Sequence, residues 1–265
     1  MRSYPKGLGI LKEFIQNADD AEADEIEFVI DEQEYNTEGL PENMQWLHST
    51  PALLVYNNRP FGEADIQGIQ NIGESGKSQS VGKTGRFGLG FNACYNITDV
   101  PYFFTRGVLY FFDPHLQTLP LASHESPGRS FDADELLAEG WPLIDAFKQF
   151  ALDYSEFKGT VFRLPFRTAQ QVSSSKIKKD AYSVSDAFDA VRELQVMGPS
   201  ILLFLKNVRK LKVNHKNRDG IVTNILSMQA SNSFEINESR KEINELLRSS
   251  NPDYILKELS RQRQI

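Results

Sequence analysis

The chain has 265 residues, 40 % of them hydrophobic and 11 % aromatic, which suffices for a packed core in one large domain or two small ones. Its net charge of −7 disfavours an extended nucleic-acid surface, because neutralising a phosphate backbone takes clustered Lys and Arg. A single cysteine, Cys94, excludes an internal disulfide and a thiolate metal cage. No apolar run reaches the roughly 20 residues of a membrane span and no secretory signal opens the chain, so the expectation is a cytoplasmic protein with no membrane partner.

Residues 1–9 read as an entry turn. Then Ile10, Leu11, Phe14, Ile15 and Ala18 recur at helical spacing, the apolar stripe of an amphipathic helix. The other side of that helix carries Glu13, Asn17 and Asp20 at i, i+4 and i+7, so a carboxylate, an amide and a second carboxylate share one face over two turns. Taken alone, such a face is more often simply solvated than functional. In combination with a phosphate loop it offers a base, a metal ligand and a hydrogen-bond acceptor to one ligand. Ile26, Phe28 and Ile30 alternate with Glu25, Glu27 and Asp31, the period of a half-buried strand.

Residues 32–50 read as a polar loop. Ala52–Tyr56 is an apolar run of strand length, stopped by Asn57, Asn58, Arg59 and Pro60, which form either an ordinary turn or a ligand contact at a strand end. A short helix is expected over Glu63–Ile69. Six glycines between positions 73 and 90, interleaved with Lys, Ser and Thr, describe a segment whose backbone N–H groups can approach phosphates. It is no Walker A loop, since Asn71 and Lys77 stand where the first glycine belongs, and Gly85, Gly88 and Gly90 run in the reverse of dinucleotide spacing. A helix is expected to begin near Phe91, its N-terminus facing an anion.

Tyr102–Phe104 and Val108–Phe112 read as a hairpin around Arg106-Gly107. Isolated His115 and His124 in the irregular stretch 113–142 make a metal site there an unfavoured reading. Helical spacing resumes over 143–154, a strand spans Lys158–Phe166, a linker 168–182, and a helix 187–197 that Gly198-Pro199 ends. Ile201–Leu205, Val208–Val213 and Ile221–Met228 read as strands, followed by a charged, helix-patterned tail.

In this order, Glu13-x3-Asn17-x2-Asp20, the stretch Gly85-Arg86-Phe87-Gly88-Leu89-Gly90-Phe91 and Gly159-Thr160 resemble the motifs of the GHKL ATPases. The wording of Leu11–Ala21, Tyr56-Asn57-Asn58, Lys83–Asn92, Ile97-Thr98-Asp99 and Phe112-Asp113-Pro114-His115 is similar to the repeat regions of the sacsin type within that superfamily, strongly over about the first 165 residues. The resemblance implies an α+β Bergerat fold, a two-layer sandwich with helices on one face of a mixed, largely antiparallel sheet. It implies a nucleotide-binding domain over 1–230, with 231–265 a helical extension or the start of a following domain.

It also implies roles. Glu13 matches the general base that activates water against a γ-phosphate. Asn17 matches the Mg²⁺ ligand and ATP contact, and Asp20 a further pocket contact. Lys83, Gly85, Arg86, Phe87, Gly88, Gly90 and Phe91 match the lid over the phosphates. Thr160, with Asn57 and Asn58 at the end of the second strand, matches the adenine site. The chaperones of the superfamily carry an Asp followed two residues later by Gly where this chain has Asn57-Asn58, so the adenine bond loses charge assistance and weakens.

No residue matches the activating cation that a following domain supplies, and the helix expected before Tyr4 is missing, so the implied activity is slow ATP hydrolysis by a fragment of a larger chaperone-type polypeptide. Its lid would close over Mg-ATP and signal to adjoining domains or clients. Oligomerisation stays open. The alternative reading is a degenerate, non-hydrolysing fold serving protein interaction. An ATPase module of a regulatory or DNA-linked protein is less compatible with the acidic balance, and a histidine kinase would need a phospho-acceptor helix.

Overall fold

The apolar and alternating runs of the sequence lie side by side in one mixed sheet. The structure, a computed structural model, describes residues 7–63, 66, 91–120, 128–151, 153–154 and 156–230. Among these the strands are β1 (Glu25–Asp31), β2 (Ala52–Asn57), β3 (Tyr102–Thr105), β4 (Val108–Phe112), β5 (Gly128–Asp132), β6 (Thr160–Pro165), β7 (Lys210–Lys216) and β8 (Val222–Gln229). Their order across the sheet is β5-β4-β3-β6-β2-β1-β7-β8. Every neighbouring pair is antiparallel except β1 with β7, which run parallel.

Alternation along the strands sends side chains to two faces, and each face has its own core. On the first, helix α1 (Leu8–Asp20) buries Ile10, Leu11, Phe14, Ile15 and Ala18 against Phe28, Val55, Phe103 and Phe162. A second long helix, designated α5 (Val184–Met197), lies on the same face and buries Ala187, Ala190, Val191 and Leu194. A reciprocal Ser183–Asp186 capping box starts it, and Gly198, at φ 62°, ends it in the left-handed region that glycine tolerates best. The packing of long helices on one face of a mixed sheet is the α+β arrangement implied by the motifs.

The opposite face carries a thinner layer, of which the sequence patterns brought out only the helical stretch beginning near Leu143. It consists of α2 (Glu42–Ser49), α3 (Ala133–Ala138) and a 3-10 helix over Pro142–Phe147. Met44, Leu47, Leu136, Leu143, Ile144 and Phe147 from these pieces cover Val29, Leu54, Tyr102, Phe104, Phe111 and Val161. For this reason β1 is not half-buried: Val29 and Asp31, on the presumed solvent side, are fully enclosed as well.

Other boundaries differ for local reasons. The loop at 32–50 contains α2, the irregular stretch 113–142 contains β5 and α3, and the linker 168–182 contains α4 (Ala169–Ser174), started by a Thr168–Gln171 capping box. The apolar run Ile201–Leu205 is no strand. Ile201–Phe204 belong to a 3-10 helix, Gly198–Phe204, with Pro199 in its first turn, where a helix needs no N–H from it. Only Glu63 and Ile66 of the helix expected at 63–69 are described residues, and the tail 231–265 lies outside them. No helix among the described residues is long and apolar enough to cross a membrane.

Candidate functional site

Helix α1 places Glu13 and Asn17 one turn apart on its half-buried flank. Phe14 fixes the helix rotation by meeting the Phe162 ring edge-on at 5.2 Å between centroids. Neither the Glu13 carboxylate nor the Asn17 amide has a partner among the described residues. Together they supply hard oxygen donors. Asp20 falls on the far edge of this flank, where with Lys12, Gln16, Met197, Ile201 and Phe204 it lines a separate groove of about 440 Å³.

Asn57 and Thr160 end β2 and β6 as cross-strand partners. Strand alternation sends both side chains to the α1 face, the side of Val55 and Phe162. The Asn57 amide oxygen and the Thr160 hydroxyl, however, are engaged by the turn that follows β2. Asn57 Oδ1 accepts the Arg59 N–H at 3.0 Å. The Thr160 hydroxyl donates to the Arg59 carbonyl at 2.8 Å and accepts the Phe61 N–H at 3.1 Å, with the Thr105 hydroxyl 3.1 Å away. Asn58 is turned elsewhere: its side chain joins Asp24 and accepts the Asp24 and Glu25 N–H groups.

Of the glycine-rich stretch, Lys83, Gly85, Arg86, Phe87, Gly88 and Gly90 lie outside the described residues. Phe91, at its end, is a core residue whose ring meets Phe112 at 5.0 Å and Tyr95 at 6.1 Å. The expected helix after it is a single 3-10 piece, Asn92–Asn96. Cys94 within it is wholly enclosed, and burial pushes its thiol well above the usual range, so it packs as a small hydrophobe.

Two carboxylates that were not candidates on sequence hold the frame of this site. Asp19 accepts backbone N–H groups from Lys206, Asn207 and Val208 at 2.9, 2.6 and 2.9 Å, which pins the C-terminal end of α1 to the approach to β7. Its place on the helical wheel, next to Ile15 and off the polar face, was the available signal. Asp99 pairs with buried Arg167 at 2.6 Å and accepts the Ser175 hydroxyl. Arg167 in turn donates to the carbonyls of Tyr95 and Thr98. The Ile97-Thr98-Asp99 motif therefore clamps the 3-10 piece after the glycine-rich stretch to the strand β6 exit.

A magnesium ion needs few protein ligands when phosphates complete its shell, and the amide oxygen of Asn17 is a donor of the right type. Among the described residues no three His, Cys, Asp or Glu side chains gather into a metal cage.

Human Sacsin is 36 % identical over 232 residues, which is 85 % of this chain and 5 % of that protein, so the chain spans about one-twentieth of its relative. Two solved structures align loosely, each at a TM-score of 0.44. One is the N-terminal domain of a DNA repair protein, at 15 % identity, covering 87 % of this chain and 55 % of that one. The other is the Aquifex aeolicus MutL ATPase domain complexed with ADP, at 11 % identity, covering 91 % of this chain and 70 % of that one. The model of the Sacsin domain matches residues 1–225, and the chain belongs to that family.

Proposed function

We propose that the chain is an ATP-binding, slowly hydrolysing chaperone-type domain. The observation that carries this reading is the pair Glu13 and Asn17, half-buried, one turn apart and without partners among the described residues, on the helix that packs on β6 through Phe14 and Phe162. Glu13 would take the proton of the attacking water, and Asn17 would hold Mg²⁺ through its amide oxygen. Residues Lys83 to Phe91 would cover the phosphates with backbone N–H groups, and closure of that lid would signal to adjoining domains or clients. With no cation assigned to the γ-phosphate, turnover would be slow.

Calorimetric titration with Mg-ATP tests the proposal. Glu13→Ala is expected to keep binding and lose hydrolysis, and Asn17→Ala to lose the Mg²⁺-dependent part of binding. Absence of heat at millimolar Mg-ATP would refute it.

A second reading has its own observation. The Asn57 amide oxygen, the Asn58 side chain and the Thr160 hydroxyl are engaged within the protein, which reduces the capacity of the strand ends to read a base and favours a degenerate fold that serves interaction only. That reading prevails if nucleotide leaves the melting temperature unchanged.

A further inference from the structure

The groove of about 440 Å³ at the far edge of α1 has an apolar floor of Ile15, Met197, Ile201, Phe204 and Leu205. Phe204 stays 63 % exposed, and Val196 and Leu203, close to it in the chain, are 88 % and 44 % exposed. Lys12 and Lys206 stand on the rim without an ion-pair partner among the described residues, and Asp20 stands there with them. Large apolar side chains left to water beside a concave apolar floor are the mark of a surface that another element covers.

The described chain leaves the sheet beside this groove. Ala230, after β8, donates its N–H to the Arg209 carbonyl at 2.8 Å, and Met228 and Ala230 pack in the core that holds Ile201 and Leu205. Lys206 precedes Arg209 by three residues, a path of at most about 10 Å. Residues 231–265 follow and lie outside the described residues. Their sequence supplies what the groove lacks. Ile243, Leu246 and Leu247 recur at i, i+3 and i+4, Ser239 with Glu242 three residues on has the pattern of a capping box, and no Gly or Pro interrupts 239–248. The spacing predicts a helix of about two and a half turns with a narrow apolar stripe, flanked by Glu242 on one side and Arg240 on the other. A helix that short is marginal in water and forms where its stripe is covered. The nine residues from Ala230 to Ser239 span up to about 30 Å when extended, which brings the stripe within reach.

We propose that the groove seats segment 239–248 of the same chain, with Ile243, Leu246 and Leu247 on the floor around Phe204 and the rim charges of both signs meeting Glu242 and Arg240. The tether holds the segment at an effective concentration of about millimolar, so a modest apolar contact suffices where a separate polypeptide would need a larger one. The groove shares no residue with the Glu13 and Asn17 pair, so this docking does not rest on nucleotide binding.

Because Cys94 is wholly enclosed, a cysteine introduced at the surface can be spin-labelled selectively. In the full chain, a label on Ser249→Cys is expected to broaden the NMR methyl signals of Met197 and Ile201 and to spare Leu136 on the opposite sheet face. Leu246→Asp with Leu247→Asp, and separately Phe204→Asp at the exposed position of the floor, should each cut that broadening by about threefold or more. Trypsin cleavage after Lys241 and Arg248 should quicken about tenfold in both variants, since cleavage follows the undocked fraction. Glu13→Ala should change neither readout. Undisturbed Met197 and Ile201 signals would leave the groove to another protein and overturn the proposal. Broadening or cleavage indifferent to the two sets of changes would overturn it as well. So would broadening transferred to unlabelled chains mixed with labelled ones, which would make the occupant a second copy.

Discussion

The two faces of the sheet solve the burial problem differently. The α1 face is covered by two helices of 13 and 14 residues and filled almost wholly by aliphatic and aromatic side chains. The opposite face is covered by short helices, and among its apolar residues it encloses Arg163, His48 and Asp31, all without solvent exposure. Long helices bring a continuous apolar stripe, whereas pieces of one or two turns leave backbone ends and polar side chains inside, and those must be satisfied locally. Stability on the first face should therefore follow volume, and on the second it should follow charge.

The largest expected effect breaks the first face. Phe162 is the ring on which Phe14, Phe61, Phe91 and Phe103 all converge, at 5.2, 5.7, 6.4 and 5.1 Å. Phe162→Ala should cost about 3–5 kcal/mol through lost burial and the cavity left behind. Urea unfolding would read this as a lowered midpoint at unchanged slope.

The next effect sharpens the second face and depends on pH. His48 is enclosed, its Nδ1 2.9 Å from the Asn36 carbonyl, so that nitrogen carries the hydrogen. Burial first, and the Arg163 charge second, push its pKa down from the ordinary 6.5 to about 4. Between these values the unfolded chain takes up a proton that the folded one refuses. Stability should thus be level above pH 6.5, fall by up to about 3 kcal/mol as the pH drops to 4, and level off below. Unfolding midpoints across that range should lose this component in His48→Gln.

What the sequence made legible follows the same division. The stripe in α1, the alternation in β1 and the aromatic hairpin β3–β4 are long enough to carry a period, and they emerge where the patterns place them. Helix α2 was not legible because its eight residues bury only Met44, Leu47 and His48, too few for a period, although Pro41 before it is a helix-start signal. Helix α4 had a signal too, Thr168 with Gln171 three residues on, within a stretch whose polar composition suggested a linker. At the candidate site, Glu13 and Asn17 were legible as a pair on one helix face. The Asn57 bond to the Arg59 N–H is a local turn contact of the kind the Asn-Asn-Arg-Pro run signals, whereas the internal use of Asn58 and Thr160 was not legible, because their partners at Asp24, Arg59 and Phe61 are set by tertiary contact.

The smallest expected effect is also the most discriminating between the faces. Arg163 is fully enclosed, its guanidinium 5.4 Å above the Tyr35 ring, with one long bond to the Thr50 carbonyl at 3.5 Å. Its Nε and Nη1 have no partner among the described residues, and the nearby Asp31 carboxylate is occupied by the Tyr35 hydroxyl and the Gln33 N–H. A buried cation so placed pays most of its desolvation with little return, and Met fills the same stem volume without that cost. Arg163→Met should therefore be neutral to about 1 kcal/mol stabilising, on a face where Arg163→Ala leaves a cavity and loses about 2 kcal/mol. The same Met substitution removes a positive neighbour of His48, so His48 should protonate at higher pH and the loss of stability between pH 6.5 and 4 should shrink. A midpoint lowered as far as that of Phe162→Ala would mean that the guanidinium is held by groups beyond the described residues, and that charge on this face stabilises as strongly as volume does on the other.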